Sequence, residues 1–293
     1  MRADVALHHG LRSALALTVL LCAACEGAPY GLAPETSAED ESYEPVVQAP
    51  DCRGNNDGVI EYAEMPFVEG AVARVRVRQG PVTVDVLGFT DEDGDRRWDF
   101  SVPDPEGEPL GRLQLQSMEG QWFQGSFPQA EHAGPLVPGG KLLGPLRVDD
   151  DGVRLYGSAS SEPDPAEGRT LVVYDVPVVL YPFPLQEGTR AVTQARASNA
   201  VVLGLPTALD DNYEVEVTGR GTLVLPDLIL RNTLRVTVRL QRVGVVGDAR
   251  QVTHVWVHEC LGEVARVISE VTTLAQTIPD DFTTAKEVWR LSL

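Results

Sequence analysis

The sequence lacks the short motifs that mark the common enzyme classes. It has no Gly-x-Ser-x-Gly nucleophile motif, no glycine-rich loop of the phosphate-binding kind, and no cysteine and histidine quartet with zinc-ligand spacing. Paired acids such as Glu259 and Glu263 could perform acid–base chemistry, but nothing in the sequence positions a substrate between them. We therefore expect a protein without catalytic activity.

Positive charge is also scarce, because 24 lysine and arginine residues stand against 43 aspartate and glutamate residues. The formal net charge is −19 at pH 7. A chain this acidic is repelled by the phosphate backbone of nucleic acids and by anionic lipid surfaces. The composition therefore predicts no nucleic-acid partner.

Long apolar runs are missing beyond residue 24, so no later segment is predicted to cross a membrane. Residues 1–24 contain one short apolar stretch, SALALTVLLCAA, which follows Arg2 and Arg12. A basic start, a short apolar centre and small residues near the end are typical of a secretory signal peptide. We expect residues 1–24 to direct export and then to be removed.

The end of this stretch, LLCAAC, resembles the lipobox of bacterial lipoproteins, where a lipidated cysteine becomes the first residue of the mature protein. Cys25 fits that position better than Cys22, because the bulky Leu21 directly precedes Cys22. The resemblance implies several acyl chains on Cys25, which anchor stably where one chain anchors only marginally. It implies a lipid-anchored protein of the cell envelope, at the outer membrane. The alternative is an ordinary signal peptide and a secreted protein.

A tether is predicted between the lipidated cysteine and the folded region. Residues 25–50 are rich in Pro, Ser, Glu and Ala and have almost no large aliphatic side chains. Such a segment cannot bury enough surface to offset its ordering entropy, so we expect disorder. Residues 51–293 form the β-rich folded region. One domain is favoured over two, and any internal boundary would fall near 184–192.

Only four cysteines occur, at positions 22, 25, 52 and 260. Cys22 leaves with the signal peptide and Cys25 takes the lipid, so Cys52 and Cys260 remain. In an oxidising envelope compartment two remaining thiols are expected to form a disulfide. The alternative, two buried free thiols, is less typical of exported proteins.

Apolar and polar residues alternate in several segments, with the period of a half-exposed β-strand. In AVARVRVRQGPVTVDV, the pair Gly80-Pro81 predicts a turn between two antiparallel strands. Asp151-Gly152 predicts a hairpin turn. Pro177 interrupts a more continuous apolar strand, which predicts a sheet edge or a bulge.

The C-terminal part alternates more regularly, in YEVEVTGRGTLVLP, LRVTVRLQRVG and VTHVWVHEC. VARVISEVTTLAQTI fits either a helix face or a strand that runs into a loop. AKEVWRLSL predicts a last strand. We predict a mainly β fold, with an antiparallel, strongly curved sheet or half-barrel and few short helices.

The segment GRGTLVLPDLILRNTLRV, followed by HVWVHECLGEVARV, resembles a pattern of bacterial envelope lipoproteins. It is similar to half-barrel lipid-handling proteins of the LolA-like group. The segments NNDGVIEYAEMP and DEDGDRRWDFS resemble predicted lipoproteins of predatory soil bacteria. Together these segments cover about half of the folded region, and the resemblance implies a fold, a compartment and a lipid ligand rather than a reaction.

The segment RGNNDGVIEYAE looks like an EF-hand calcium loop whose first ligand is missing. With Gly58 at the sharp turn, Arg53 occupies the first ligand position, where a cation cannot bind calcium. The remaining candidate ligands are Asn55, Asp57, Glu61 and Glu64. The alternative is a plain Asx turn, for which Asn, Asp and Gly are preferred.

A second acidic loop, DEDGDRRWDF, has Arg96 where glycine is wanted and Val102 where glutamate is wanted. Its candidate ligands are Asp91, Asp93, Asp95 and Asp99. Three closely spaced carboxylates repel one another unless they are solvated or neutralised, so this loop is the better candidate for weak calcium binding. The alternative here is again an Asx turn.

Two functions are consistent with these features. The first is a non-catalytic envelope lipoprotein that binds a lipid or another apolar ligand in a concavity of the sheet. The second is a surface or periplasmic protein-interaction module with calcium-stiffened loops. An internal apolar cavity would favour the first, and a filled core with exposed aromatic patches would favour the second.

Overall fold

The computed structural model describes residues 52–92, 94–102, 107–245 and 247–292. The predicted signal peptide, Cys25 and the predicted tether lie outside these residues, as do Asp51 and Asp93.

More than half of the described residues lie in strands, which confirms the mainly β prediction. The two short 3-10 turns are η1 (Tyr62–Glu64) and η2 (Gln124–Ser126). The strands are β1 (Val72–Thr83), β2 (Phe89–Thr90), β3 (Arg96–Asp99), β4 (Leu110–Gln114), β5 (Gln116–Ser117), β6 (His132–Pro135), β7 (Leu142–Asp149), β8 (Gly152–Ser160), β9 (Leu171–Pro182), β10 (Arg190–Val202), β11 (Leu205–Val224), β12 (Ile229–Gly244), β13 (Ala249–His258), β14 (Gly262–Ser269) and β15 (Thr284–Leu291).

The strands build one curved sheet that nearly closes into a barrel. Its order is β4-β1-β15-β14-β13-β12-β11-β10-β9-β8-β7-β6-β5, and neighbours in this path are antiparallel. Segment 183–189 connects β9 to β10 within this sheet. The β2–β3 hairpin lies off the path. β3 pairs in parallel with residues 222–224 of β11, beyond the part of β11 that pairs with β10.

Closure fails at one seam, between β4 and β6. β4 pairs with β1 and β5 pairs with β6, although only Leu115 separates β4 from β5 along the chain. Pro135 ends β6 and Pro138 follows it, and proline has no N–H to continue a ladder. Across this part of the seam, the Gly139 amide lies 3.4 Å from the Arg112 carbonyl oxygen, a weak hydrogen bond.

The predicted turn at Gly80-Pro81 is wrong. β1 runs straight through both residues and pairs with β15 on either side of them, from Val75 opposite Leu291 to Thr83 opposite Thr284. The ladder shifts between Gln79 and Val82, which makes the Gly-Pro pair a bulge in one strand. A long partner strand holds the chain extended where the local sequence favours a turn.

Other local predictions are confirmed. The β7–β8 hairpin turns where Asp151-Gly152 predicts it, with Asp149 opposite Gly152. Pro177 lies where the β8–β9 register shifts, so it occupies a bulge. The ambiguous segment is a strand up to Ser269, where β14 ends, and β15 is the predicted last strand.

Both faces of β13 and β14 are covered, because apolar side chains point to both sides of these two strands. On β13, Val255 and Val257 face the interior and pack in a cluster with residues of β11 and β12. Trp256, between them, faces outward and makes edge contacts with Trp98 and Phe100, at centroid distances of 5.8 and 4.8 Å. The β2–β3 hairpin therefore forms an outer layer over the barrel.

His254 is a polar group inside this outer layer and is 0 % exposed. Its Nε2 lies 2.7 Å from the carbonyl oxygen of Asp280, so Nε2 carries the proton and donates. Nδ1 then accepts from the Thr237 hydroxyl at 3.0 Å. Burial, together with the positive charge of Arg235, lowers the pKa of His254 to about 4, so the imidazole is neutral at pH 7.

The pH dependence of unfolding should reflect this histidine. The folded-state pKa of about 4 lies below the ordinary value of 6.5, so the unfolded chain binds the proton more readily. Stability is therefore full above about pH 6.5 and falls as the pH drops toward 4, by about 2 to 3 kcal/mol at pH 4.5. Urea unfolding of His254→Gln between pH 7.5 and 4.5 should lack this part of the decline, and His258→Gln should keep it. Parallel profiles for His254→Gln and the parent protein would contradict the assignment.

Candidate cavity site behind the seam

A disulfide joins the start of the described chain to the turn between β13 and β14. Cys52 and Cys260 are bonded with their Cα atoms 5.5 Å apart, which is the pairing that the sequence predicts. The Cys260 amide also donates to the Glu64 carbonyl oxygen at 2.7 Å. The turn is thus tied to the N-terminal segment twice, once covalently and once by a hydrogen bond.

Residues 65–71 form a strap that runs from η1 to β1. Within the strap, the Phe67 amide donates to the Met65 carbonyl at 2.9 Å, and at its far end the Gly70 amide donates to Leu115 at 2.8 Å. The strap packs closely on the β13–β14 turn, since a Cβ on Gly262 would lie 3.1 Å from Pro66. It therefore bridges the β13–β14 turn and the β4–β5 junction.

A cavity of about 200 Å³ lies behind the seam, between the strap and the sheet. Both sides of the seam contribute to its wall, through Leu113 and Leu115 on one side and Leu136 and Pro138 on the other. Its other apolar lining residues are Met65, Pro66, Phe67, Val68, Ala71, Val72, Ala73, Pro135, Leu261, Trp289 and Leu291. An engineered apolar cavity of about 150 Å³ binds benzene, so this volume is sufficient for a small ring or one short alkyl chain.

Two charged side chains of β14 reach this cavity because of a bulge. Residues three apart on a regular strand point to opposite faces. Here Glu263 pairs with Val257 while Ala265 pairs with Trp256, so Val264 is an extra residue in the ladder. The bulge turns Glu263 and Arg266 to the same interior face, where both line the cavity.

Glu263, Arg266 and Tyr181 form a hydrogen-bonded cluster in the cavity wall. The Arg266 guanidinium donates to one Glu263 carboxylate oxygen through Nη2 and to the Leu136 carbonyl through Nη1, the latter at 3.0 Å. The Tyr181 hydroxyl donates to the other Glu263 oxygen. The guanidinium carbon lies 5.4 Å from the Trp289 ring centroid, within range of a cation–π contact.

Burial and mutual charge set the protonation of this cluster. Burial, together with the negative charge of Glu263, raises the pKa of Tyr181 well above its ordinary value. Burial acts to lower the pKa of Arg266, but the Glu263 charge and hydrogen bond outweigh it, so that pKa is raised. The cluster is therefore a neutral tyrosine beside one ion pair.

One donor of the cluster stays unused. Arg266 Nε is buried and has no hydrogen-bond partner among the residues that the structure describes. A buried donor without a partner costs about 1 to 3 kcal/mol. An acceptor placed at this point of the cavity would recover that free energy.

The first acidic loop uses its candidate ligands in backbone turns. Asn55 Oδ1 accepts from the Asp57 amide at 2.9 Å, and Asp57 Oδ1 accepts from the Val59 amide at 2.8 Å. Glu64 folds back to accept from the Glu61 amide at 3.0 Å in a capping box. The contacts of Asn55 and Asp57 are the Asx turns of the alternative interpretation.

A positively charged side chain also lies at this loop. The Arg220 guanidinium donates to the Asp57 carbonyl at 3.3 Å, and a Cβ on Gly58 would lie 2.6 Å from that side chain. Glu259, paired with Glu263 in the sequence argument, accepts from the Asn56 amide at 2.7 Å and does not line the cavity. Glu259 and Glu263 therefore belong to different sites, the first acidic loop and the cavity wall.

The second acidic loop is a tight turn before β3. The Asp95 amide donates to Asp91 Oδ1 at 2.9 Å, and the Asp91 amide donates back to the Asp95 carbonyl at 2.9 Å. Asp99 lies at the far end of β3, where the Ser101 hydroxyl and amide bind it and lower its pKa. Asp93 lies outside the described residues, so calcium binding by this loop stays a prediction.

Within the described part of the chain, no group of three or more His, Cys, Asp or Glu side chains is close enough to hold a metal ion. Across residues 52–292, with the gaps given above, no helix has the length and apolar character required to span a membrane.

Sequence reasoning named Glu263 as a possible acid but missed Arg266, Tyr181 and Trp289 as its neighbours. The sequence feature that could have indicated this cluster is the arginine at the centre of the apolar run VARVIS, because a charged side chain that is buried there needs a partner. The partner could not be named, because Tyr181 belongs to β9, which is remote from β14 both along the chain and in the strand order.

Comparison of the chain with known protein families, curated proteins and solved structures found no match. The resemblance to envelope lipoproteins therefore stays a prediction from the quoted segments.

The disulfide should carry a large share of the stability of the fold, because it closes a loop with a sequence separation of 208 residues. The double variant Cys52→Ala, Cys260→Ala should lose about 5 kcal/mol of unfolding free energy on the chain-entropy argument. Urea unfolding of the variant would measure this, and the parent protein with reductant serves as the control. An unchanged unfolding midpoint in both would contradict a stabilising bond.

Proposed function

We propose that this protein is a non-catalytic, lipid-anchored envelope protein that holds a lipid chain or another small apolar ligand in the cavity behind the seam. The observation that supports the proposal is the apolar cavity itself, which lies where the sheet stays unpaired between β4 and β6. A seam that few backbone hydrogen bonds cross can widen at low cost, so the seam is the entry route that the fold offers.

The cavity volume limits the ligand and its affinity. Burial contributes about 0.8 kcal/mol for each CH₂ group, so a chain of about eight carbons gains about 6 kcal/mol before the entropic costs of association. We therefore expect weak, reversible binding of one short chain, or of part of a longer chain, rather than tight storage of a whole diacyl lipid.

The proposed anchor brings the cavity toward the membrane. The tether after Cys25 would join the folded region at Cys52, which is bonded to Cys260, and Cys260 lines the cavity. A flexible segment of about 25 residues has a root-mean-square length of about 25 to 30 Å. The cavity would thus lie within about one bilayer thickness of the lipid surface.

Filling the cavity should remove binding without loss of the fold. Ala71 lines the cavity, so Ala71→Trp should place an indole ring inside it and weaken binding of a fluorescent apolar probe, N-phenyl-1-naphthylamine, by at least tenfold. Ala166→Trp adds the same ring at an exposed loop position and should bind as the parent protein does. Equal probe binding by both variants would show that the probe sits elsewhere.

The anchor is tested separately. Cys25→Ala should prevent lipidation and move the protein from the membrane fraction to the periplasmic or secreted fraction of its host, as followed by immunoblotting. Cys22→Ala should leave membrane fractionation intact. Normal processing and membrane association of Cys25→Ala would exclude the lipoprotein assignment.

A further inference from the structure

Two residues that line the cavity have a buried donor with no hydrogen-bond partner among the described residues: Arg266, through Nε–H, and Trp289, through Nε1–H. The two other Arg266 nitrogens donate to Leu136 and Glu263, and both Glu263 carboxylate oxygens accept, one from Arg266 and one from Tyr181. Because both donors are without a partner among the described residues, an acceptor that enters with a ligand can satisfy the Nε–H of Arg266.

The charge of the cluster is already balanced. Arg266 carries one positive charge and Glu263 one negative charge, while the Tyr181 hydroxyl stays neutral. A ligand carboxylate would have to leave water and lie close to the Glu263 carboxylate, and a ligand ammonium would lie close to Arg266. Either charge would be buried without a free partner, which is strongly unfavourable.

We infer that the cavity selects single-chain amphiphiles whose polar end is a neutral acceptor, above all an acyl ester, over free carboxylates and amines. The alkyl chain lies along the apolar wall, and the ester carbonyl accepts the hydrogen bond from Arg266 Nε. The inference rests on the proposed function, since it specifies the ligand class of the same cavity.

Glu263 is the residue that sets this selectivity. Its carboxylate satisfies Arg266 and repels a second anion, so it excludes free fatty acids by like-charge repulsion rather than by shape. Without that charge the guanidinium would lose its hydrogen-bonded counter-ion and keep the charge of Glu287, which does not line the cavity, so a ligand carboxylate could take the place of Glu263.

The first experiment compares four ligands with the same chain length on the parent protein. Methyl octanoate, octanoate, octylammonium and octane are each used to displace bound N-phenyl-1-naphthylamine at pH 7.5. Methyl octanoate should bind at least tenfold more tightly than octanoate and octylammonium, and more tightly than octane, because it alone satisfies Arg266 without adding charge.

The second experiment tests whether Glu263 sets the selectivity between the ester and the carboxylate. Glu263→Gln keeps an acceptor oxygen for Arg266, places an amide NH₂ that can donate to the Tyr181 hydroxyl, and removes the negative charge, so octanoate should bind at least tenfold more tightly than in the parent protein. The ratio of the affinity for methyl octanoate to the affinity for octanoate should fall at least tenfold. Glu69→Gln removes one charge from an exposed residue of the neighbouring strap outside the cavity lining and should keep the parental ranking.

A third measurement needs no variant and applies if Glu263→Gln does not fold. A fatty carboxyl group with an ordinary pKa of about 4.5 is almost fully ionised at pH 7.5 and about one quarter neutral at pH 5. The apparent affinity of octanoate should therefore rise at least tenfold between these pH values, while that of methyl octanoate stays level.

The outcomes separate the two proposals. If none of the four ligands displaces the probe, the proposed function itself fails. If the ester binds no more tightly than octane and Glu263→Gln leaves the affinity for octanoate unchanged, the cavity is a plain apolar site, and only the inference about Arg266 and Glu263 is overturned. Tighter binding of octanoate than of the ester by the parent protein also overturns it.

Discussion

The architecture depends on one unmet requirement of backbone hydrogen bonding: a curved sheet closes only when its first and last strands can pair. Here the chain bends at Leu115, so β4 stays with β1 while β5 crosses to β6, and prolines at positions 135 and 138 remove donors from the opposite side. The cavity and the strap beside it both lie at this interruption, and so does the proposed entry route.

Around the interruption, the protein is packed on both faces of its central strands. Trp98 and Phe100 cover Trp256 on the outside, and an aliphatic cluster that includes Val255 fills the interior. Edge contacts between aromatic rings add about 1 kcal/mol each beyond the area they bury. This double cover holds β13 and β14 firmly, so the bulge at Val264 can turn two charged side chains inward on a rigid strand.

The alternation of apolar and polar residues predicted the strands. Asp151-Gly152 predicted the β7–β8 hairpin and Pro177 predicted the bulge, because nearby residues decide those features. Elimination among four cysteines predicted the disulfide. Gly80-Pro81 misled because a remote partner, β15, decides the conformation there. The Arg266 cluster was out of reach for the same reason, since its inward direction depends on the register between β13 and β14 rather than on the spacing of its own residues.

The disulfide also determines how the folded region carries mechanical load. A pull applied through residues before Cys52 passes across the sulfur bridge to Cys260, into the turn between two central strands with partners on both sides. Residues 53–71 lie in parallel with that bridge and carry little of the force. The strap over the cavity therefore lies outside the direct path of the load.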